Sequence, residues 1–261
     1  MKVRPIMFVA ALVCLLIPSW LSAQESMDLA VQPEMITIGT SYTGMNLTVS
    51  GKIPEDCEAV AVLSGERAEL HLKEKGKALG LLWMNMGSLK YTGVPSVFFI
   101  SSQKRVEDME GAGEGDDLSV NRIGFDGLKK SITVESEKPD IQRYVDELFK
   151  LKSQDGLYQE QTGNVTYESP SQGFKTFHIT IAMPSRLTPG QYSVHVYSVK
   201  DGKITSDAEK PIEAKLDGVP AFLAKMAFGH SLLYGILATL IAIISGLVIG
   251  FVFQGAKEGS H

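Results

Sequence analysis

Apolar and polar residues alternate with a period of two along much of the chain. Met45, Leu47 and Val49 alternate with polar neighbours, and Leu70 and Leu72 do the same. Two further sets of apolar side chains share one face each: Phe177, Ile179, Ile181 and Met183 in the first, and Tyr192, Val194 and Val196 in the second. This period is typical of β-strands that bury one face and expose the other.

Turn residues separate the alternating segments at short intervals. Gly51 and Pro54 follow the first segment, and Pro189-Gly190 and Asp201-Gly202 enclose the last one. Many short strands at close spacing predict a mainly β fold, an immunoglobulin-like β-sandwich. The strands fall into an N-terminal block (residues 24–104) and a C-terminal block (residues 161–217), and the pattern leaves open whether these form one domain or two.

Between the two β blocks, residues 105–160 follow a different period. Residues 107–117 contain six acidic residues and three glycines, which predicts an exposed loop. From Pro139 to Lys152 the apolar positions recur at helical spacing, which predicts an amphipathic helix packed on a sheet. Its apolar stripe consists of Ile141, Tyr144, Val145, Leu148 and Phe149.

Both ends of the chain carry apolar segments of membrane type. Ser231–Phe253 contains no charged residue, and its 23 residues would extend about 34 Å as a helix, enough to cross a bilayer. Residues 1–23 combine Lys2 and Arg4 with an apolar centre and a small residue at Ala23, as a signal peptide does; an uncleaved anchor is the alternative.

These two segments predict a single-pass topology in a bacterial inner membrane. Residues 24–230 would be exported to the periplasm, and residues 254–261 would be a cytoplasmic tail. Residues 218–253 contain the membrane-proximal segment and the span. Lys257 in that tail agrees with the excess of basic residues on the cytoplasmic side.

Small residues recur every four positions along the span, at Ala238, Ala242, Gly246 and Gly250. On a helix they form one ridge, against which a second backbone can pack closely. We expect this ridge to contact an integral membrane protein or a second copy of the chain. Ordinary membrane-helix composition is the alternative, because glycine and alanine are common in spans.

The charge of the predicted periplasmic part excludes some partners. Without Lys2, Arg4 and Lys257, 22 of the 25 basic residues remain, and without Glu258, 29 of the 30 acidic residues remain, which gives a net charge of −7. An acidic surface argues against nucleic acid as a partner. Cys57 is the one cysteine after the predicted signal peptide, so no internal disulfide is expected, and we interpret it as a small buried residue.

The sequence contains no recognisable catalytic motif, and we predict neither catalytic nor cofactor-binding residues. Two groups of residues could form a metal site as an alternative. Met84 and Met86, with Met45, could supply thioether ligands to copper, although methionine also fills apolar cores. His178 and His195 could pair if their strands are neighbours, but a third ligand is not apparent. The prediction is therefore that no metal is bound.

Several segments in order resemble one bacterial family. They are "GKALGLLWMN", "VPSVFFISSQ", "SQDGLYQE", "MPSRLTPGQYSVHVYSVKDGKI" and "LLYGILATLIAIISG". Together they are similar to the family labelled "putative transmembrane protein" of the alpha-proteobacterial type, over about residues 35–253. The resemblance implies a periplasmic β-rich part, one C-terminal span and an association with transporters of the sulfite-exporter type. It implies no catalytic or binding residues. Met84, Met86 and the long acidic loop depart from the family pattern.

These features favour a non-enzymatic, membrane-anchored periplasmic protein. We expect it to act as an accessory or assembly subunit of a membrane complex, and the resemblance points to a complex that contains a transporter. The alternative is a carrier that binds a metal or a small ligand and delivers it to a membrane transporter. No cofactor is predicted for a protein that acts as an accessory subunit.

Overall fold

The structure is a computed structural model that describes residues 27–78, 81–109, 119–136 and 139–255. The predicted signal peptide, most of the predicted acidic loop and most of the predicted cytoplasmic tail lie outside these residues. The described residues contain the following strands: β1 (Leu29–Gln32), β2 (Met35–Ile38), β3 (Met45–Pro54), β4 (Glu58–Gly65), β5 (Arg67–Ala78), β6 (Leu82–Pro95), β7 (Phe98–Ser102), β8 (Thr133–Glu135), β9 (Tyr158–Thr162), β10 (Val165–Tyr167), β11 (Phe174–Met183), β12 (Gly190–Lys200) and β13 (Lys203–Leu216).

Four α-helices accompany the strands in the described residues: α1 (Phe125–Ser131), α2 (Ile141–Gln154), α3 (Gly218–Gly229) and α4 (Ser231–Gly255). Single 3-10 turns cover Val106–Asp108 and Val120–Arg122. The prediction of a mainly β fold with one long C-terminal apolar helix is confirmed.

Two sheets take strands from both ends of the β region. An antiparallel four-stranded sheet has the order β1-β3-β11-β10. A six-stranded sheet has the order β2-β13-β12-β4-β7-β9, with parallel pairs at its two edges. The N-terminal and C-terminal β blocks therefore interleave, since β3 pairs with β11 and β4 pairs with β12.

The first hydrophobic core lies between these two sheets, which together we call the two-layer body. The alternating positions predicted from the sequence supply it: Leu47 and Val49 from one sheet and Val194 and Val196 from the other are fully buried. Because side chains of a strand alternate between faces, each sheet also presents an outer face.

A second core covers the outer face of the six-stranded sheet. It joins Val60 and Val62 of β4 to α1, α2 and the three-stranded sheet β5-β6-β8. Tyr91 of β6 donates a hydrogen bond to the carbonyl oxygen of Tyr144 in α2 at 3.1 Å. Phe149 of α2 meets Tyr158 edge to face at 5.2 Å between ring centroids.

The predicted amphipathic helix is confirmed as α2, with its boundaries two residues later at each end. Tyr144, Val145, Leu148 and Phe149 are buried, as predicted from the stripe. Ile141 is 49% exposed, so its place in the buried stripe was wrong. The helix begins at Ile141, because Asp140 has ψ of 58° and is not helical, which leaves Ile141 at the open end of the stripe.

A long antiparallel ribbon extends from the six-stranded sheet. β4 continues directly into β5, and β6 continues directly into β7. The amide of Gly65 donates to the Val97 carbonyl at 2.9 Å, and the amide of Ser96 donates to the Glu66 carbonyl at 3.1 Å. We call residues 67–95 the hairpin. Tyr192 pairs with both Gly65 and Ile212, so the hairpin leaves the sheet at the end where β13 leads toward α3 and α4.

Candidate functional site

Helix α4 has the length and composition of a membrane span. Ser231–Phe253 is the one segment of the described residues that meets both requirements, and its apolar side chains do not pack into the two-layer body. Helix α3 precedes it and ends at Gly229, and the next residue, His230, leaves the helical conformation at φ −139° and ψ 57°. The chain therefore enters the predicted membrane through a short apolar helix and a break.

The predicted ridge of small residues lies on the surface of α4. A Cβ atom added at Gly246 or Gly250 would meet no atom within 4 Å, so these two positions are open to a neighbouring helix. Near the start of α4, the Thr239 hydroxyl donates a hydrogen bond to the Gly235 carbonyl oxygen at 2.8 Å. The hydroxyl group is thus satisfied within its own helix. The contact predicted for Ala238, Ala242, Gly246 and Gly250 stays a prediction.

Helix α3 adds a second apolar surface next to the span. None of its residues is buried, and it exposes Val219, Phe222 and Phe228, the last at 92%. Aromatic side chains at the start of a span commonly lie at the membrane–water interface. Their exposure therefore agrees with the predicted position of the membrane surface.

Among the described residues outside α3 and α4, the largest exposed apolar group lies at the end of the hairpin. The group, which we call the apolar tip, consists of Leu81, Leu82, Trp83, Met84 and Met86. Each of these side chains is at least half exposed, from 50% at Met86 to 84% at Leu81. Soluble surfaces rarely carry so many large apolar side chains side by side unless they bind something.

The local sequence explains why the tip is exposed on both sides. Lys77 pairs with Trp83 and Gly76 pairs with Met84, so Trp83 and Met84 point to opposite faces of the ribbon. The Lys77 ammonium lies over the Trp83 ring, 5.4 Å from its centroid. Gly76 leaves space for the Met86 side chain, whose Cγ would lie only 2.6 Å from a Cβ added there. Both faces of the ribbon are therefore apolar at the tip.

The edges of the hairpin are open near the tip. In the described residues β5 pairs with β6 alone, and β8 covers only Lys90–Thr92 of β6. The strand edges beyond these residues present backbone amide and carbonyl groups. Such edges can accept another strand.

The chain matches, over residues 26–255, the family described as "Putative transmembrane protein (Alph_Pro_TM)". The match covers the two-layer body, the hairpin and the apolar C-terminal helix. The chain belongs to this family. The resemblance seen in the ordered sequence segments is thereby confirmed. No curated protein matches the chain.

The structure of this family member separates the two histidines considered for a metal site. His178 lies on β11 of the four-stranded sheet, and its Nε2 is 3.1 Å from a Glu168 oxygen. His195 lies on β12 of the six-stranded sheet, with its Nε2 3.0 Å from a Glu209 oxygen. The expectation that their strands could be neighbours was wrong, because each strand pairs only within its own sheet.

The methionines also lie in different parts of the fold. Met45 pairs with Met183 in the four-stranded sheet, whereas Met84 and Met86 belong to the apolar tip. Among the described residues, no group of three histidine, cysteine or acidic side chains is arranged to hold a metal ion. The structure therefore does not bring Met45 together with Met84 and Met86.

Cys57 is buried as predicted, at 2% exposure. Burial raises the pKa of its thiol, a hydrogen bond with Thr205 opposes that shift, and the Asp56 carboxylate adds to it. The thiolate needed for reactivity is thus disfavoured, and Cys57 belongs to the first core.

The exposure of the apolar tip was not foreseen from the sequence. In the sequence, the run "LLWMNM" contributes to the family resemblance, and its methionines suggest thioether ligands. A signal was available, because this run places five large apolar residues between lysine-rich and polar segments. Its pairing with β5 alone, which leaves it uncovered, is a feature of the tertiary structure.

Proposed function

We propose that this protein is a non-enzymatic accessory subunit of a bacterial inner-membrane complex. Its two-layer body lies on the periplasmic side, its C-terminus lies in the cytoplasm, and α4 anchors it. It holds an integral membrane protein through two surfaces, the apolar tip of the hairpin and the ridge on α4. The partner suggested by the family resemblance is a transporter.

The observation that supports this proposal most directly is the apolar tip. Five large apolar side chains at 50–84% exposure are costly in water, at about 25 cal/mol per Å² of apolar surface that a partner would cover. Methionine adapts its shape to a partner surface, and tryptophan is common at the centre of protein interfaces. The tip therefore has the composition of a binding site.

The hairpin leaves the two-layer body at the end from which the chain continues into α3 and α4. A protein that emerges from the membrane beside α4 could thus contact both the span and the base of the hairpin, because they lie at the same end of the two-layer body. The open edges of β5 and β6 favour a protein partner over lipid hydrocarbon, because unpaired backbone groups are not tolerated inside the bilayer core. Against a protein cleft or strand those groups find hydrogen-bond partners.

The proposal is tested by photo-crosslinking in intact bacterial membranes. We would place p-benzoylphenylalanine at position 83, in place of Trp83, and irradiate the full chain. The matched control carries the same residue in place of Phe174, which is 39% exposed on the four-stranded sheet. We expect an adduct with one integral membrane protein from position 83 and none from position 174.

A second variant decides whether that adduct reflects function. Replacing Leu82, Trp83 and Met84 with serine should leave the folded body intact, because all three are exposed, and should remove the same protein from detergent purifications. Lipid adducts alone at position 83, or an unchanged co-purification of the serine variant, would contradict the proposal. The alternative of a metal or small-ligand carrier stays a prediction.

A further inference from the structure

A cleft of about 540 Å³ opens at the base of the hairpin, between α1 and the outer face of the six-stranded sheet. Its floor is apolar and is formed by Val62, Pro95, Phe98, Ile123 and Leu128. The size falls within the range of small-molecule sites, about 300–1,000 Å³. The cleft is separate from the apolar tip and from α4.

The rim of the cleft carries three positive side chains, Arg67, Arg122 and Lys130. They come from three different elements: the start of β5, the turn before α1, and α1 itself. No acidic residue is among the described residues that line the cleft. This is unusual in a chain whose net charge is −5.

Strand pairing explains how the polar groups of the cleft come together. His195 pairs across the strands with Val62, and Ser193 pairs with Ser64, which places these side chains on the outer face of the sheet. The rings of His195 and Tyr197 stack, with centroids 6.1 Å apart and planes 11° apart. The Nε2 atom of His195 lies 3.0 Å from a carboxylate oxygen of Glu209. Hydroxyl groups of Ser64, Tyr197 and Ser131 complete the lining.

Two of the cations have no acidic partner among the described residues. Neither Arg67 nor Lys130 forms an ion pair with a described residue, whereas Lys129, the neighbour of Lys130, pairs with Asp146 of α2 at 2.9 Å. Their charges are therefore not needed to hold α1 against α2 or the hairpin against the sheet. Two unpaired cations above an apolar floor attract an anion that also has an apolar part.

We propose that this cleft binds a small organic carboxylate. The carboxylate lies between Arg67 and Lys130, with Arg122 adding positive potential, and the planar guanidinium of an arginine matches a carboxylate with two hydrogen bonds. The apolar part of the molecule covers Val62, Phe98 and Leu128. The proposal goes beyond the docking function, because it gives the protein a ligand of its own at a different place on the molecule.

The test is a titration of the full chain in detergent micelles, with isotope-labelled methyl groups followed by NMR. The methyl groups of Val62, Ile123 and Leu128 lie in the floor of the cleft, so they report binding at this site and not elsewhere. The probe is benzoate, compared with benzyl alcohol, which has the same ring without the charge, and with inorganic phosphate, which has charge without the ring. We expect saturable shifts with benzoate and an affinity at least about tenfold higher than for either comparison compound.

The double variant Arg67→Gln with Lys130→Gln should abolish saturation by benzoate. Both residues are exposed, so the methyl spectrum of the variant should stay that of the folded protein. The matched control, Arg186→Gln with Lys215→Gln, removes the same charge from residues that are paired with Asp155 and Glu213. It should bind benzoate with unchanged affinity.

Each of the other outcomes would overturn the proposal. Equal binding of benzyl alcohol would show a merely apolar cleft, and equal binding of phosphate would show a merely basic one. No shift of the floor methyl groups, or an equal loss of affinity in the control variant, would show that the cleft does not select a carboxylate. None of these results bears on the crosslinking from the apolar tip, so the two proposals fail independently.

Discussion

Truncation of Leu148 to alanine should destabilise the protein strongly, because this side chain lies in the centre of the second core. Leu148 is 1% exposed and packs in the cluster that contains Tyr91, Tyr144 and Tyr158. Leu148→Ala removes three carbon groups, each worth about 0.8 kcal/mol of transfer free energy, or about 2.4 kcal/mol in all. The cavity adds about 24 cal/mol per Å³ that does not collapse. The expected loss in free energy of unfolding is therefore about 2–5 kcal/mol.

The measurement is thermal unfolding of the full chain in mild detergent, followed by the circular dichroism of the β-strands. For a body of this size, about 2–4 °C of melting temperature correspond to each kcal/mol, so Leu148→Ala should lower the melting temperature by about 4–20 °C. Leu151 provides a matched control on the same helix, because it is 44% exposed. Leu151→Ala should change the stability by no more than about 0.5 kcal/mol. Equal melting temperatures for the two variants would show that the stripe of α2 does not hold this core together.

Three further predictions concern the span, the topology and the cysteine. The double variant Gly246→Leu with Gly250→Leu should leave membrane insertion intact, because the span becomes more apolar, and should reduce co-purification of the membrane partner. An unchanged yield of the partner would show that the ridge contacts lipid and not protein. A reporter that fluoresces only in the cytoplasm, fused after His261, should be bright; a dark fusion would reverse the orientation. In a Cys14→Ala chain, Cys57 should react with a maleimide slowly when the chain is folded and rapidly in denaturant, because burial raises the pKa of its thiol. Rapid labelling of the folded chain would contradict the place of Cys57 in the core.

The sequence predicted the parts of the fold that depend on neighbouring residues. A strand with one buried face needs only a period of two, so the burial of Leu47, Val49 and Val194 could be read from the residues beside them. The helix α2 follows from a period of 3.6, and the span follows from the absence of charge over the length of a bilayer. Ile141 shows the limit of this reasoning. It belongs to the apolar stripe but is exposed, because the pattern cannot show at which turn of the helix the contact with the core ends.

The strand order decided what the sequence left open. His178 and His195 are both on outer-facing positions of strands, but β11 joined one sheet and β12 the other, so no common site exists for them. The cleft at the hairpin base arose in the same way, since Arg67, Lys130 and His195 are brought together only by the packing of β5, α1 and β12. Pairing of this kind depends on contacts between distant residues, and the local pattern is the same whichever partner strand is chosen.

The sequence by itself therefore determined that this protein has β-strands with one buried face, an amphipathic helix and a C-terminal apolar helix long enough to span a membrane. These properties are set by the period and polarity of adjacent side chains. Only the tertiary structure decided that the tip of the hairpin is uncovered and that basic side chains from three elements surround an apolar cleft. Exposure and proximity are properties of the whole chain, because they depend on which distant segments come to lie against each surface.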